Sequence, residues 1–216
     1  MNNKKVSEIV AEYLKEKKIK HVFGIIGSAN SHIFDSINTL GYTKIICVHH
    51  EQAATMAMQN YYRVSGEITA ALLTAGGGSS NGITGVLSAW ADSIPGIVIS
   101  GQENTRFINN MKKTRMWGVQ GYDSSGMVKS ITKYSVMVKK PEKAIFELER
   151  GYYISSIGRK GPVWIDYPID IQGTKIDINK FKKYVPKKYI LKKNIINKNT
   201  NNIKKIINLI KKAKRP

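Results

Sequence analysis

The chain has 216 residues, a single cysteine and a formal net charge of +20. One cysteine excludes a disulfide framework and Cys-based metal clusters, no apolar run approaches the roughly 18 residues of a membrane span, and the lysine-rich start MNNKKVSEIVAEYLKEKK lacks the apolar block of a signal peptide, so a cytoplasmic protein is expected. The charge is a property of the tail: residues 1–172 carry 20 Lys+Arg against 14 Asp+Glu, whereas residues 173–216 carry 15 against one, with no nucleic-acid motif beside them, so nucleic acid is not the expected partner.

In chain order, Val6, Ile9, Val10, Tyr13 and Leu14 fall on one face of a helix over 6–17, with Ser7, Glu8, Glu12 and Glu16 turned outward. HVFGI (21–25) reads as a strand, IGSAN (26–30) as a turn, and SHIFDSINTL (31–40) as a helix ended by Gly41. In KIICVHHEQAATMAMQNYY (44–62), Ile45, Ile46 and Val48 read as a buried strand with Cys47 in the core. Ala53, Ala54, Met56, Ala57 and Tyr61 then recur at helical spacing. Glu51 therefore sits at a strand-to-helix turn, the edge of an α/β sheet where ligands bind. The strand ITAALLTA (68–75) leads into AGGGSSNGITGVLSAWADS (75–93), a glycine run and then a helix, and GIVIS (96–100) is the next strand.

Residues 101–127 are polar and irregular, too long for a mere connection. YSVMV (134–138) is a strand, PEKAIFELERGYYISS (141–156) a helix with Pro141 in its first turn, and PVWIDYP (162–168) a strand. Repetition of strand, turn and helix predicts an α/β fold over 1–172, a parallel sheet with helices on both faces. Residues 173–199, rich in Lys and Asn, read as a linker around Pro186. Ile203, Ile206, Ile207 and Ile210 then form one helical stripe, expected to open a truncated middle domain at 200–216 because an apolar stripe needs something to pack on.

An acid in a first helical turn is favoured by the helix dipole whatever else it does, so Glu51 alone names no site. Zinc fails as a reading, because HExxH needs a histidine where Ala54 stands, and His49 and His50 read as strand-end residues. No metal ligand set is expected. The glycine run lacks the GK[ST] of a P-loop and the third glycine of GxGxxG, which leaves a tight turn or the close approach of a ligand as its use.

Taken together, VFGIIGSAN (22–30), HHEQAATMA (49–57), LLTAGGGSSNGITGVLSAWADSIPGIVISGQ (72–102), GVQGYD (118–123), ITKYSVMV (131–138) and GPVWIDYPIDIQ (161–172) resemble the thiamine-diphosphate enzymes of the acetolactate synthase and pyruvate oxidase type. The likeness is to their N-terminal pyrimidine-binding domain, and IINLIKKAKRP (206–216) is similar to the helix opening their middle domain. The resemblance implies thiamine diphosphate as cofactor and a small 2-oxo acid as substrate, decarboxylated with possible carboligation. It also implies a homo-oligomer whose site lies between this domain and the diphosphate-binding domain of another subunit.

By the same resemblance Glu51 hydrogen-bonds N1′ of the aminopyrimidine, and burial against Ala53, Ala54 and the glycine loop would raise its pKa. Gly27, Ser28 and Ala29 match the loop beside the cofactor; Thr74, Gly77, Gly78 and Asn81 match the loop flanking the aminopyrimidine; Gln120 matches a glutamine reaching toward substrate and cofactor. Two rigid turns are softened, with Ile26 where the family often has proline and Gly77 where SGPG has its proline. No GDG followed by Asn some thirty residues on is present, so the Mg²⁺ ligands are expected on another domain and the isolated chain is expected to be inactive; FAD stays open. Two alternatives stand beside this reading: the stand-alone α subunit of a split 2-oxo acid decarboxylase, and a non-catalytic binding module.

Overall fold

The structure, a computed structural model, describes residues 3–108, 114–186 and 200–214. Two compact units divide the chain at Pro186, and each is described by itself.

The first unit is built on a six-stranded parallel sheet of β2 (His21–Gly24), β3 (Lys44–Cys47), β4 (Ala70–Leu73), β5 (Gly96–Gln102), β6 (Tyr134–Met137) and β7 (Pro162–Pro168). The order across the sheet is β3-β2-β4-β5-β7-β6. Alternate residues of the central strands face opposite ways, so the sheet fills two cores. Leu72, Ile97, Ile99, Val163 and Ile165 pack under α1 (Val6–Glu16), α2 (Ser31–Leu40) and α8 (Ala144–Ser156). Ala71, Leu73, Val98 and Trp164 pack under α3 (Glu51–Ser65) and α5 (Ile83–Ala91) with Ala54, Met58 and Val86. This is the expected α/β architecture with helices on both faces, and the strand expected over 162–168 lies there.

Several local expectations are corrected. β3 is an edge strand, paired only with β2, so Cys47 and Ile46 are exposed rather than core. Ser7 is fully buried instead of turned outward, because its hydroxyl accepts a hydrogen bond at 2.9 Å from Ser36 across the α1–α2 contact. Glu8 does face outward and accepts from the Lys5 amide at 2.8 Å, capping α1. The helix expected from Pro141 opens as a 3-10 turn over Pro141–Lys143 before α8.

The stretch 101–127 is more regular than its composition suggests. Gly101 and Gln102 extend β5, and α6 (Thr105–Ile108) and α7 (Ser124–Met127) follow, with residues 109–113 outside the described residues. Past 172 the chain does not leave the domain: α9 (Ile169–Gly173) leads to β8 (Lys175–Asp177), which pairs antiparallel with β1 (Asn3–Lys5) and ties the two ends together. Only 187–199 of the expected linker lies outside the described residues. In the second unit α10 (Thr200–Lys212) carries Ile203, Ile206, Ile207 and Ile210 along one side, as the spacing predicts. No helix among the described residues is long and apolar enough to cross a membrane.

Candidate functional site

The connections from β2 and β4 fix where a ligand can sit. β2 lies between β3 and β4, so the chain leaves β2 toward one edge through α2 and leaves β4 toward the other through α4 (Gly77–Asn81) and α5. A parallel sheet opens a crevice at the carboxyl ends of two such strands. The β2 turn (Gly27, Ser28, Ala29) and the β4 turn (Thr74 to Gly78) meet there. Asn30 shapes the first turn by accepting from the Gly27 amide at 2.8 Å and donating to the Ile25 carbonyl at 3.1 Å. Gly27 lies so close on Thr74 that a Cβ at Gly27 would collide with the Thr74 side chain. Ala29 is buried below, its carbonyl accepting at 2.6 Å from the buried Gln172 amide, and Ser28 is exposed.

Glu51 opens α3 from the end of β3. His50 is its N-cap, with Nδ1 accepting from the Gln52 amide at 3.2 Å, which is the structural role expected of a strand-end histidine. The Glu51 carboxylate leans over the glycine turn. Oε2 accepts from the Asn81 side-chain amide at 3.0 Å, and Oε1 lies 3.0 Å from the place a Cβ on Gly78 would occupy. That same Cβ would stand 2.5 Å from Thr74 Cγ2, so a glycine at 78 keeps both groups in place. The enclosure expected of Glu51 is half built: Glu51 is half-buried, Ala54 is buried in the core beneath α3, and Ala53 is exposed and shields nothing.

Gly76 belongs to the glycine run expected to turn tightly, though not to the named cofactor residues, and it makes the turn possible. Its φ of +67° and ψ of −135° suit glycine alone, and a Cβ there would lie 2.7 Å from the Gln120 carbonyl oxygen. Gln120 is thereby seated on the glycine turn, its backbone N–H donating to Glu103 Oε1 at 3.1 Å. Gly77 has open space above it and is exposed. Behind the turn a polar chain runs into the sheet. Ser79 Oγ pairs with the Tyr122 hydroxyl at 2.8 Å, and Gln102 donates to the Tyr122 carbonyl at 2.8 Å and to Ser124 Oγ at 3.2 Å. Ser124 donates to Asp166 Oδ2 at 2.7 Å, and Trp164 Nε1 to Asp166 Oδ1 at 2.6 Å. Burial pushes the Asp166 carboxyl up to about 7 against the pull of those donors.

Of the residues named from sequence, Glu51, Thr74, Gly78 and Asn81 form one cluster, Gly27 joins it through Thr74, and Gln120 joins through Gly76, whereas Ser28 and Gly77 are exposed and Ala29 turns its carbonyl to Gln172. Residues 4–127 match the family described as thiamine pyrophosphate enzyme, N-terminal TPP binding domain. The chain belongs to that family. It is also 38% identical over 164 residues to the acetolactate synthase large subunit of Haemophilus influenzae, covering 76% of this chain and 28% of that protein. With the large subunit of Buchnera aphidicola from Acyrthosiphon pisum, identity is 36% over 215 residues, covering 97% and 36%. With the probable large subunit of Methanocaldococcus jannaschii it is 34% over 212 residues, covering 98% and 35%. The chain spans about a third of the length of these relatives.

As a thiamine pyrophosphate enzyme domain, the chain has a crevice suited to one half of the cofactor. Three glycines, 27, 76 and 78, hold the two turns where any Cβ would intrude. Thr74 Oγ1 is buried with no hydrogen-bond partner among the described residues, a state that costs about 1–3 kcal/mol unless a ligand supplies one. The chemistry present is a carboxylate, amides and hydroxyls, which suits a heteroaromatic ring bearing donors and acceptors. Among the described residues no group of three His, Cys, Asp or Glu stands together to hold a metal. Ser79, Tyr122 and Asn30 were not named from sequence; the run GGGSSN and the pair Gly121–Tyr122 were the signals available for two of them.

Proposed function

We propose that this chain is the pyrimidine-binding part of an acetolactate-synthase-like enzyme that acts on a small 2-oxo acid. One observation carries the reading: the Glu51 carboxylate, held by Asn81, faces the crevice between the Gly27 and Gly78 turns at the switch point of the sheet. Thiamine diphosphate supplies the carbanion-stabilising chemistry when bound.

In this reading the chain's residues bind, orient and hold a proton. Glu51 holds or shares a proton at N1′ of the aminopyrimidine; Asn81 fixes the carboxylate so that its lone pairs are aimed before the ligand arrives. Thr74 Oγ1 gives its unmet hydrogen bond to the ring, and the glycines of both turns let the ring lie against backbone. Gln120, seated on Gly76, faces the substrate side. Because Glu51 is only half-buried here, its enclosure is completed by the diphosphate-binding domain of a second subunit, which also supplies the Mg²⁺ ligands. The chain alone is inactive in this account, and the assembly is a cytoplasmic homo-oligomer.

The test is Glu51→Gln in the enzyme completed by its diphosphate-binding domain. Removal of a positioned acid–base group costs about 10²–10⁴-fold in turnover of a 2-oxo acid such as pyruvate, with folding unchanged. Full activity in that variant would remove Glu51 from the chemistry.

A further inference from the structure

The opposite edge of the sheet carries a second cleft, away from the crevice just described. Its volume is about 270 Å³, and it is lined by Trp90, Ala91, Lys133, Arg159 and Lys160. These residues come from the segments that enter β5, β6 and β7, at the amino ends of parallel strands whose carboxyl ends face the Glu51 side. Gly161 packs against two of the lining side chains: a Cβ there would press on Lys133 Cγ at 3.0 Å and approach the Trp90 ring at 3.6 Å.

The three cations are fixed by neutral groups and so keep their charge for something else. Lys133 Nζ donates to the Ile157 carbonyl at 2.6 Å, Arg159 Nε to Ser93 Oγ at 2.7 Å, and Lys160 Nζ to the Tyr62 hydroxyl at 2.6 Å. Among the described residues none has a carboxylate within 4.0 Å, and Asp92, beside Ala91, is taken by Arg63. Helix ends account for part of the charge. The carboxyl ends of α3, α5 and α8 point to this edge and contribute about −0.5 each, which against three cations leaves about one and a half positive charges. Burial also pulls the Lys133 ammonium below its ordinary range, as expected of a cation without its counter-ion.

We propose that this cleft is a ligand site for a phosphate monoester carried on a planar base, the chemistry of a nucleoside monophosphate. A phosphate monoester brings about −1.5 to −2 charges at neutral pH, which matches the uncompensated charge. Trp90, 39% exposed, offers an indole face on which a base can stack. The volume lies at the lower limit of ligand pockets, roughly 300 Å³, and so suits one nucleotide rather than a dinucleotide.

The experiment is calorimetric titration of the full 216-residue chain with AMP, adenosine and inorganic phosphate, with tryptophan emission read in parallel. Trp117 and Trp164 are buried, so Trp90 reports contact with the base. AMP is expected to bind saturably and quench emission, at least tenfold more tightly than adenosine or phosphate. The Arg159→Gln/Lys160→Gln double variant should lose at least tenfold in AMP affinity, Trp90→Ala should bring AMP down to the level of phosphate, and Glu51→Gln should bind AMP as the parent does. Should the double variant fail to fold, Lys160→Gln alone, at an exposed position, carries the same expectation with a smaller loss. Absence of saturable binding by AMP, equal affinity for phosphate and AMP, or a charge variant that binds like the parent would overturn the assignment.

Discussion

At the scale of single residues, the site depends on how two carboxyl groups are housed. Glu51 stands at the rim of the crevice with one oxygen on Asn81, accessible to a ligand. Asp166 lies under the sheet with no exposure, and its donors Ser124, Ser125 and Trp164 hold the strand end from which the Tyr122–Ser79 link reaches the glycine turn. Asp166 gives a pH prediction whose sign follows from burial. Its carboxyl rises from an ordinary 3.8 to about 7 in the fold, so between those values the folded protein keeps a proton that the unfolded chain has released. Stability from this group is complete below about pH 4 and falls as pH rises toward 7. Asp166→Asn should flatten that slope, as seen by urea unfolding at pH 5 and pH 7; an unchanged slope would assign the dependence to other groups. Little of this was legible in the sequence, where Asp166 is one acid within an apolar strand and two of its donors, Ser125 and Ser124, lie 41 and 42 residues away along the chain.

At the scale of elements, the turn after β4 joins a strained glycine to a relaxed one. Gly76→Ala should destabilise the fold by about 1–3 kcal/mol, because the backbone there suits only glycine and Gln120 fills the space. Gly77→Pro should do the reverse. Gly77 is the first residue of α4, where proline is well tolerated, and nothing lies within 4 Å of its Cβ position, so a gain of about 0.4–1 kcal/mol is expected from the stiffer unfolded chain. Thermal unfolding of both variants checks the pair; stabilisation by Gly76→Ala would contradict the turn geometry. Element positions were largely readable, since α2 and β7 follow periodicity and their flanking Gly and Pro. What periodicity does not carry is strand order: Cys47 and Ile46 look like core residues until β3 is found at the edge. The β1–β8 pairing was hidden for a similar reason, because a three-residue strand gains its stability from a partner 172 residues away.

At the scale of the whole molecule, the domain is a scaffold that presents the Glu51 crevice at one edge of the sheet and a cationic cleft at the other. The family membership and the placement of Glu51, Thr74, Gly78 and Asn81 were legible together because the family's motifs lie in the βα turns, and a parallel sheet gathers those turns at one edge. No GDG followed by Asn some thirty residues on is present in this sequence, so the cofactor's charged end is expected to find no dedicated grip here. Calorimetry of the chain with thiamine diphosphate and Mg²⁺ should therefore give binding no tighter than roughly millimolar, about −4 kcal/mol; micromolar binding would mean that the diphosphate is held by residues of this chain.

Weak binding still leaves a map. The most direct measurement is two-dimensional ¹H–¹⁵N spectra of the 216-residue chain during titration with millimolar thiamine diphosphate. Shifts at Gly27, Glu51, the residues from Thr74 to Gly78 and the Asn81 side-chain amide, reduced in Glu51→Gln, are the predicted result. Shifts confined to other parts of the domain, or the same shifts undiminished in Glu51→Gln, would contradict a pyrimidine seated between the two glycine turns and held by this carboxylate.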